Sequence, residues 1–216
     1  MCTHLAAANE YKLEHLKQEH IWKMVEASKV YYVGGYHLTV CPPAAMALAE
    51  HAATTNKVFM LGLSAGFIPQ FFKDPLAEIM PYVDYLFGNE NEAKAWAESQ
   101  GLANDLSIAQ IAQKIAETKK ANDKRQRVVI ITQGTEPTIV AVAGEKEVRQ
   151  YPVHPIDSKL ICDTTGAGDA FAAGVCAGVV AGDSIETCVN KGQWLAKLSL
   201  EELGPSFPYP KKTYSQ

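Results

Sequence analysis

The sequence has no long uninterrupted hydrophobic run and no strong excess of one charge. The longest stretch without Asp, Glu, Lys or Arg, residues 30–49, is broken by Pro42-Pro43, and the Ala/Gly-rich stretch 170–182 is too short to span a bilayer. Twenty basic and 24 acidic residues give a net charge of −4, which provides no bulk attraction to nucleic acid or anionic membranes. The first twelve residues lack the positive-then-apolar layout of an export signal. We therefore expect an intracellular, cytoplasmic protein, with the nucleus as an open alternative, that binds neither nucleic acid nor a membrane.

Paired cysteines are also missing. The five cysteines are odd in number and scattered, without a Cys-x-x-Cys pair: Cys2, Cys41, Cys162, Cys176 and Cys188. This pattern argues against a disulfide framework or a zinc site and is typical of a reduced protein. Hydrophobic residues make up 47% of the chain, which is enough for a folded core.

What the sequence does contain is an alternation of β-branched apolar runs with helical patterns. Strands are predicted at residues 29–34, 57–63, 82–88 and 127–132, and helices at 42–56, 69–80, 90–100 and 107–119. A hairpin (138–143 and 147–153), an Ala/Gly-rich helix ending near Gly182 and a last helix over 184–203 follow. This order predicts an α/β fold, a doubly wound and mainly parallel sheet with helices on both faces, in one domain over residues 1–216.

Two expectations concern burial. The first strand, residues 29–34, is predicted to be buried on both faces. A basic run before the fourth strand has no interleaved aromatic residues, so we expect a solvated loop rather than a nucleic-acid site: Lys119, Lys120, Lys124, Arg125 and Arg127.

The most informative segment is residues 163–174, which read DTTGAGDAFAAG. Gly166, Ala167 and Gly168 would stand at the start of a helix, where the first N–H groups have no intrahelical partner and point outward. Their small side chains would let a phosphoryl group reach those N–H groups, which can stabilise the charge that develops during phosphoryl transfer. Asp169 would then lie beside the acceptor, where it can take a proton from a hydroxyl. A tight turn with a helix-starting acid is the alternative, but the complete string favours function.

Residues 163–174 resemble the second signature of the ribokinase-like (PfkB) family of carbohydrate and nucleoside kinases. Flanking segments are similar to the adenosine-phosphorylating members of that family, over about residues 5–210: LAAAN (5–9), GYHLTV (35–40), LSAGF (63–67), PYVDYLFGNENE (81–92), TQG (132–134) and FP (207–208). The resemblance implies a ribokinase-like fold. It also implies transfer of the ATP γ-phosphate to the 5′-hydroxyl of adenosine, with Mg²⁺, in purine salvage.

The resemblance assigns roles to individual residues. Asp169 takes the position of the catalytic base, and Gly166, Ala167 and Gly168 form the anion hole. Asn89 and Glu92 fall on an Asn-x-x-Glu pattern that places Mg²⁺ and the phosphates largely through water, which suits an ion that keeps most of its waters. An N-terminal helix cap is the alternative for these two residues.

Other implied contacts concern the two nucleosides. Thr132 and Gly134 would lie along the nucleotide, with a plain strand-to-turn role as the alternative, and Gln193 would lie near the adenine of ATP. Tyr36 and His37 would contact the adenosine base. Asp163 has two interpretations that stay open: a turn residue, or a monovalent-cation contact as in relatives.

The sequence also departs from the family pattern. The N-terminal strands, the lid sheet, a Gly-Gly segment and the acid that holds the ribose hydroxyls are missing before Leu5, as expected for a truncated isoform or an incomplete gene model. Gly62, Gly66 and His37 replace residues usual in the family. We therefore expect weak or no kinase activity from this chain alone. Two alternatives remain: a kinase for a sugar or another nucleoside, and a non-catalytic protein that binds nucleotide or a partner chain.

Overall fold

The computed structural model describes residues 7–121 and 123–215, and these form alternating helices and strands. The α-helices are α1 (Leu13–Leu16), α2 (Glu19–Ala27), α3 (Pro42–Thr55), α4 (Phe67–Phe71), α5 (Lys73–Ile79), α6 (Glu90–Ser99), α7 (Ile108–Ala116), α8 (Ala167–Ala181) and α9 (Ile185–Leu200). The strands are β1 (Val30–Gly34), β2 (Val58–Gly62), β3 (Tyr85–Asn89), β4 (Val128–Gln133), β5 (Glu136–Val142) and β6 (Arg149–Tyr151). Within the described residues they follow the chain order β1-β2-β3-β4-β5-β6 in one sheet. The predicted α/β fold is confirmed.

The chain divides into two compact units. The first comprises residues 1–131 and 140–148, and the second comprises 132–139 and 149–216. The expectation of a single domain over residues 1–216 is not decided by this division into units and stays a prediction. Across the described ranges, no helix is both long enough and apolar enough to cross a membrane.

The first unit is built on three parallel strands. β1 pairs with β2 from Val30–Val58 to Gly34–Gly62, and β2 pairs with β3 from Met60–Tyr85 onward. The middle strand, β2, is wholly buried at Phe59, Met60 and Leu61, as expected for a parallel strand covered on both faces.

The prediction that the first strand is buried on both faces is wrong. Tyr31 and Val33 face the core, but Tyr32 between them is 40% exposed. β1 is the terminal strand in the sheet order, and the described elements cover the face that carries Tyr32 only in part. A continuous apolar run does not distinguish a central strand from a terminal one.

The prediction of a solvated basic loop is also wrong for three of its residues. Arg127 is fully buried and donates to the carbonyl oxygens of Val83 (3.1 Å) and Met80 (2.6 Å), among others. Burial lowers the pKa of its guanidinium to about 10. Lys120 and Arg125 are bound to Asp84, a buried acid at the base of β3. The run thus attaches the segment after α7 to the sheet.

One predicted helix is two. Residues 69–80 were expected to be a single helix, but α4 ends at Phe71, α5 restarts at Lys73, and Met80–Tyr82 forms a 3₁₀ turn. Pro75 has no N–H to donate to Phe71, so it is accommodated only in the first turn of a new helix. The predicted strand over 82–88 accordingly begins later, at Tyr85.

In the second unit, α8 and α9 pack closely because of their small residues. A Cβ on Gly174 would lie 2.5 Å from the Lys191 carbonyl oxygen, and one on Gly178 would lie 2.7 Å from Cys188 Sγ. Gly182 ends α8 with φ of 78°, and Ser184 caps α9 by accepting from the Thr187 N–H at 3.2 Å. The Ala/Gly-rich sequence is therefore explained by helix packing as well as by the motif that begins it.

Four of the cysteines lie in the part of the chain that the structure describes and form no disulfide there: Cys41, Cys162, Cys176 and Cys188. Burial raises the pKa of the Cys176 and Cys188 thiols to about 11, so they are uncharged at neutral pH. Cys2 lies outside the described residues.

Candidate active site

The glycine-rich segment opens α8. Gly166 is the N-cap residue, with φ of 84° and ψ of −3°, a left-handed conformation that glycine adopts without steric cost. Its carbonyl oxygen accepts from the Ala170 N–H at 2.9 Å, and Ala167 donates back to Thr164 O at 3.3 Å. Of the three predicted anion-hole residues, Ala167 therefore uses its N–H within the loop.

Gly168 is the open position at this helix start. It is exposed, and a Cβ built on it would meet nothing within 4 Å. The N–H groups of a first helical turn have no intrahelical acceptor, so a ligand oxygen can approach here. Asp169, one residue further along the first turn of α8, is exposed as well. The arrangement has the open donors and the adjacent carboxylate that phosphoryl transfer requires.

Asp163 holds the loop in front of this helix. Its Oδ1 accepts from the Thr165 N–H at 2.9 Å, and its Oδ2 accepts from the Gly204 N–H at 3.0 Å. These main-chain hydrogen bonds, the one from Thr165 first, lower the pKa of the Asp163 carboxyl below its usual value. The turn interpretation of Asp163 thus has direct geometric support.

Asn89 and Glu92 form a complete capping box at the start of α6. Asn89 Oδ1 accepts from the N–H groups of Asn91 (3.0 Å) and Glu92 (2.9 Å). Glu92 Oε2 accepts from the Asn89 N–H at 3.1 Å, and its Oε1 accepts from Asn89 Nδ2 at 3.0 Å. The helix-cap role is confirmed, and a role with Mg²⁺ stays a prediction. No cluster of three or more His, Cys, Asp or Glu side chains suited to a metal ion occurs among the described residues.

Tyr36 and His37 lie on a 3₁₀ turn that follows β1, Gly35–Thr39. The Tyr36 ring is 36% exposed and packs edge-on against Phe67 at a centroid distance of 5.8 Å, and Phe67 is 38% exposed. His37 instead packs against Tyr11 at 5.2 Å, and burial lowers the pKa of its imidazole. An exposed aromatic pair is therefore formed by Tyr36 with Phe67, which the sequence reasoning did not single out.

Ser64, after β2, is a second residue that the sequence reasoning missed. Its φ of 67° is left-handed, which is unusual for a residue other than glycine, asparagine or aspartate. Its Oγ accepts from the Gly35 N–H at 2.8 Å, the residue before Tyr36. Gly35 itself leaves no room for a side chain, because a Cβ would lie 2.4 Å from Leu63 O. Ser64 thus fixes the turn carrying Tyr36 to the segment that leads to Phe67.

Gly62 and Gly66, which replace residues usual in the family, each have a defined place in the fold. Gly62 is a β2 residue, and a Cβ there would lie 2.6 Å from the Tyr32 hydroxyl oxygen. Gly66 has ordinary helical dihedral angles, φ −59° and ψ −28°. The first glycine makes room for an aromatic side chain, and the second begins α4.

Thr132, Gly134 and Gln193 belong to the second unit, together with the start of α8. Gly134 lies in the two-residue turn between β4 and β5, with φ of 60°. Gln193 is buried on α9. Its Nε2 donates to Thr138 Oγ1 (3.3 Å) and Tyr151 O (3.4 Å), while its Oε1 is buried without a hydrogen-bond partner.

The predicted site residues thus fall in both units. Tyr36, His37, Asn89 and Glu92 belong to the first, and Thr132, Gly134, Gly166–Asp169 and Gln193 belong to the second. An open groove of about 750 Å³ in the first unit contains none of them. It is lined by the basic segment after α7, whose Lys120 and Arg125 are already bound to Asp84.

Comparison with known proteins identifies the relatives of this chain. The model of the pfkB family of carbohydrate kinases matches residues 1–212. The chain belongs to this family. It is 44% identical over 214 residues to an adenosine kinase of Schizosaccharomyces pombe, covering 99% of this chain and 62% of that protein.

Solved structures of pfkB-family relatives agree with the fold. The adenosine kinase of Anopheles gambiae in complex with P1,P4-di(adenosine-5) tetraphosphate superposes with a TM-score of 0.87 at 40% identity, over 94% of this chain and 61% of that one. The adenosine kinase of Schistosoma mansoni in complex with 2-fluoroadenosine gives a TM-score of 0.89 at 35% identity, over 94% and 59%. The ribokinase-like fold is therefore confirmed, and the chain spans about three fifths of the length of these relatives.

Proposed function

We propose that this chain carries the catalytic segment of an adenosine kinase, which transfers the γ-phosphate of ATP to the 5′-hydroxyl of adenosine and yields AMP and ADP. The observation that supports it is the exposed start of α8, where Gly168 stands open beside Asp169. Relatives at 40–44% identity that are named adenosine kinases support adenosine as the substrate. The reaction is a purine-salvage step inside the cell, where ATP is available.

The proposed chemistry places Asp169 at the acceptor. The 5′-oxygen of adenosine attacks the γ-phosphorus, the bond from that phosphorus to the β-bridging oxygen breaks, and the hydroxyl proton passes to the Asp169 carboxylate. The main-chain N–H groups at the start of α8 stabilise the charge on the equatorial oxygens, chiefly at Gly168, because the Ala167 N–H already donates to Thr164 O.

Mg²⁺ would be held chiefly by the phosphates and its own waters, and it would neutralise charge on the transferring group. Asn89 and Glu92 fit this role only through water. Both Glu92 carboxylate oxygens already accept from Asn89, and Glu92 is 8% exposed. An ion that keeps most of its waters needs few direct protein ligands, so this donor set is sufficient.

The two nucleosides would contact different groups. Tyr36 and Phe67 offer an exposed edge-on aromatic pair for the adenosine base, with His37 beside them. Gln193, whose buried Oε1 has no hydrogen-bond partner, would lie near the adenine of ATP, and Thr132 and Gly134 would lie along the nucleotide.

We infer reduced or absent turnover for this chain alone. The chain spans 62% of the S. pombe relative, and groups that orient substrate contribute several kcal/mol to catalysis when present. The test is AMP formation by the purified chain with labelled ATP, Mg²⁺ and adenosine, together with titrations of ATP and adenosine binding.

We expect binding of ATP with little AMP. Asp169→Asn should remove any AMP formation but keep nucleotide binding, whereas Asp157→Asn, a change at an exposed acid outside the proposed site, should alter neither. A chain that binds neither ATP nor adenosine, or AMP formation that survives Asp169→Asn, would overturn the proposal. Efficient AMP formation would overturn only the inference that this chain alone has reduced activity. Preferential phosphorylation of a sugar in an acceptor screen would replace adenosine as substrate.

A further inference from the structure

The loop before α8 and the segment after α9 are joined through one carboxylate. Asp163 accepts from the Thr165 N–H with one oxygen and from the Gly204 N–H with the other, at 2.9 and 3.0 Å. Thr165 is local, but Gly204 is 41 positions away, beyond the end of α9. The same side chain therefore shapes the turn and attaches it to a distant part of the chain.

A second contact joins the same two segments. A Cβ built on Gly166 would lie 2.9 Å from Pro205 Cβ, so the N-cap residue of α8 rests directly on the residue after Gly204. The chain beyond this point is itself attached to α9, because Tyr214 packs edge-on against Trp194 at 5.5 Å. The position of the loop thus depends on residues 204–214, which carry none of the proposed chemistry.

We propose that Asp163 is a positioning residue: it couples the C-terminal segment, through the Gly204 N–H, to the loop that sets the donor groups at the start of α8. The catalytic consequence rests on the proposed function, whereas the coupling itself does not. Since each carboxylate oxygen already accepts a main-chain N–H, the coupling gives Asp163 a structural role that does not depend on a bound cation.

The coupling is tested by amide hydrogen exchange of the full chain, read by NMR. In Asp163→Asn we expect exchange of the Thr165 and Gly204 amides to rise by about tenfold or more, since hydrogen bonds to a charged acceptor are among the stronger ones. Asp157→Asn is the matched control, because Asp157 Oδ1 accepts from the Lys159 N–H at 3.0 Å in a local turn of the same kind. It should leave both amides unchanged. An unchanged Gly204 amide in Asp163→Asn would overturn the proposal.

A second variant acts from the other end and covers the case in which Asp163→Asn does not fold. Gly204→Ala strains a left-handed residue (φ 67°) without steric overlap, and Gly182→Ala does the same at φ 78° in the same unit. Only Gly204→Ala should speed exchange at Thr165. Equal effects of the two glycine variants at Thr165 would contradict the coupling.

Two further readouts separate positioning from other roles. If the wild-type chain turns over, Asp163→Asn should lower kcat at least tenfold with little change in KM for ATP, because loop donors act mainly in the transition state. An unaltered kcat would remove the positioning role. If the chain shows no turnover, it has no kinase activity by itself, and the hydrogen-exchange data still decide whether Asp163 couples the two segments.

A salt titration tests for a cation contact. If potassium chloride, but not choline chloride, shifts the NMR signals of Thr165 and Gly204, and Asp163→Asn abolishes these shifts, then Asp163 contacts a cation and the proposal is overturned.

Discussion

The Asp84 carboxylate accepts a hydrogen bond from Lys120 Nζ at 2.5 Å at a position where the aspartate is 1% exposed. Its other oxygen accepts from the Phe59 N–H at 3.0 Å and from Arg125 Nη1 at 3.3 Å. One buried acid thus binds two cations from the basic run and one strand of the sheet. Removal of a partner from such a group leaves charges buried without compensation.

Asp84→Asn should therefore lower the free energy of unfolding by about 3 kcal/mol, because Lys120 and Arg125 remain with no anion between them. Urea unfolding at pH 7 measures the change. The control is Glu19→Gln, which breaks an exposed ion pair with Lys23 whose side chains are 69% and 83% exposed. That variant should change stability by less than about 0.5 kcal/mol. Similar midpoints for the two variants would contradict the role given to Asp84.

The Asp84 cluster also shows where sequence patterns stop being informative. Strands β1 to β4 and helices α3, α6 and α7 lie within a few residues of their predicted bounds, because hydrophobic period and end signals such as Pro42 and Ser107 are local. The burial of Arg127 depends on carbonyl groups of Val83 and Met80, more than 40 residues earlier. No local pattern contains that information.

The candidate site likewise has features that the sequence predicts and features that it does not. Residues 163–174 predict where α8 begins, and Gly166 has the left-handed conformation that this start requires. The sequence does not reveal that the Ala167 N–H donates to Thr164 O, that Asp163 accepts from the Gly204 N–H, or that Ser64 has a positive φ. These depend on how the backbone closes around the motif, so they emerge only from three-dimensional structure.

Gly168→Ala separates a binding role from a turn role. The methyl group would meet no neighbouring atom, and alanine is the better helix former, so stability should be unchanged or raised by up to about 1 kcal/mol. The same methyl group should hinder the approach of a phosphoryl oxygen, so ATP binding should weaken. Thermal unfolding and ATP titration measure the two effects.

The control for this variant is Gly174→Ala, whose Cβ would lie 2.5 Å from Lys191 O. It should destabilise the chain by about 1–3 kcal/mol through overpacking between α8 and α9. If Gly168→Ala leaves ATP affinity unaltered, the start of α8 is a structural turn and not the phosphate site.

Two substitutions of Ser64 should have opposite backbone effects. Both remove the hydroxyl that accepts from Gly35, but glycine accommodates the φ of 67° and alanine does not. Ser64→Gly should therefore be more stable than Ser64→Ala by about 1 kcal/mol, as measured by chemical unfolding. Both should weaken adenosine binding, because the turn carrying Tyr36 loses its attachment. Equal stability of the two variants would show that Ser64 is not strained.

The loop contacts of Asp163 should depend on pH in one direction. Main-chain donors lower the pKa of its carboxyl in the folded chain, so the stabilisation is complete above the unfolded-state value of about 3.9 and is lost as pH falls through the folded-state value. The Gly204 amide shift and the Asp163 carboxyl ¹³C shift should titrate together below that range. A Gly204 shift that follows the pKa of another group would contradict the contact.

Gln193→Met tests the proposed adenine contact with a readout that does not require turnover. Its two hydrogen bonds are long, at 3.3 and 3.4 Å, and its Oε1 is buried without a partner, so the substitution should change stability by less than about 1 kcal/mol. An acceptor at this position favours the amino group of adenine over the carbonyl oxygen of guanine. The ratio of ATP to GTP affinity should therefore fall by about threefold to tenfold, the equivalent of one neutral hydrogen bond.

Gln113→Met is the matched control. Gln113 Oε1 is also buried without a partner, and Gln113 lies on α7, which carries no proposed site residue. An affinity ratio that is unchanged in Gln193→Met, or changed equally in both variants, would assign Gln193 to packing between α9 and β5 rather than to the nucleotide.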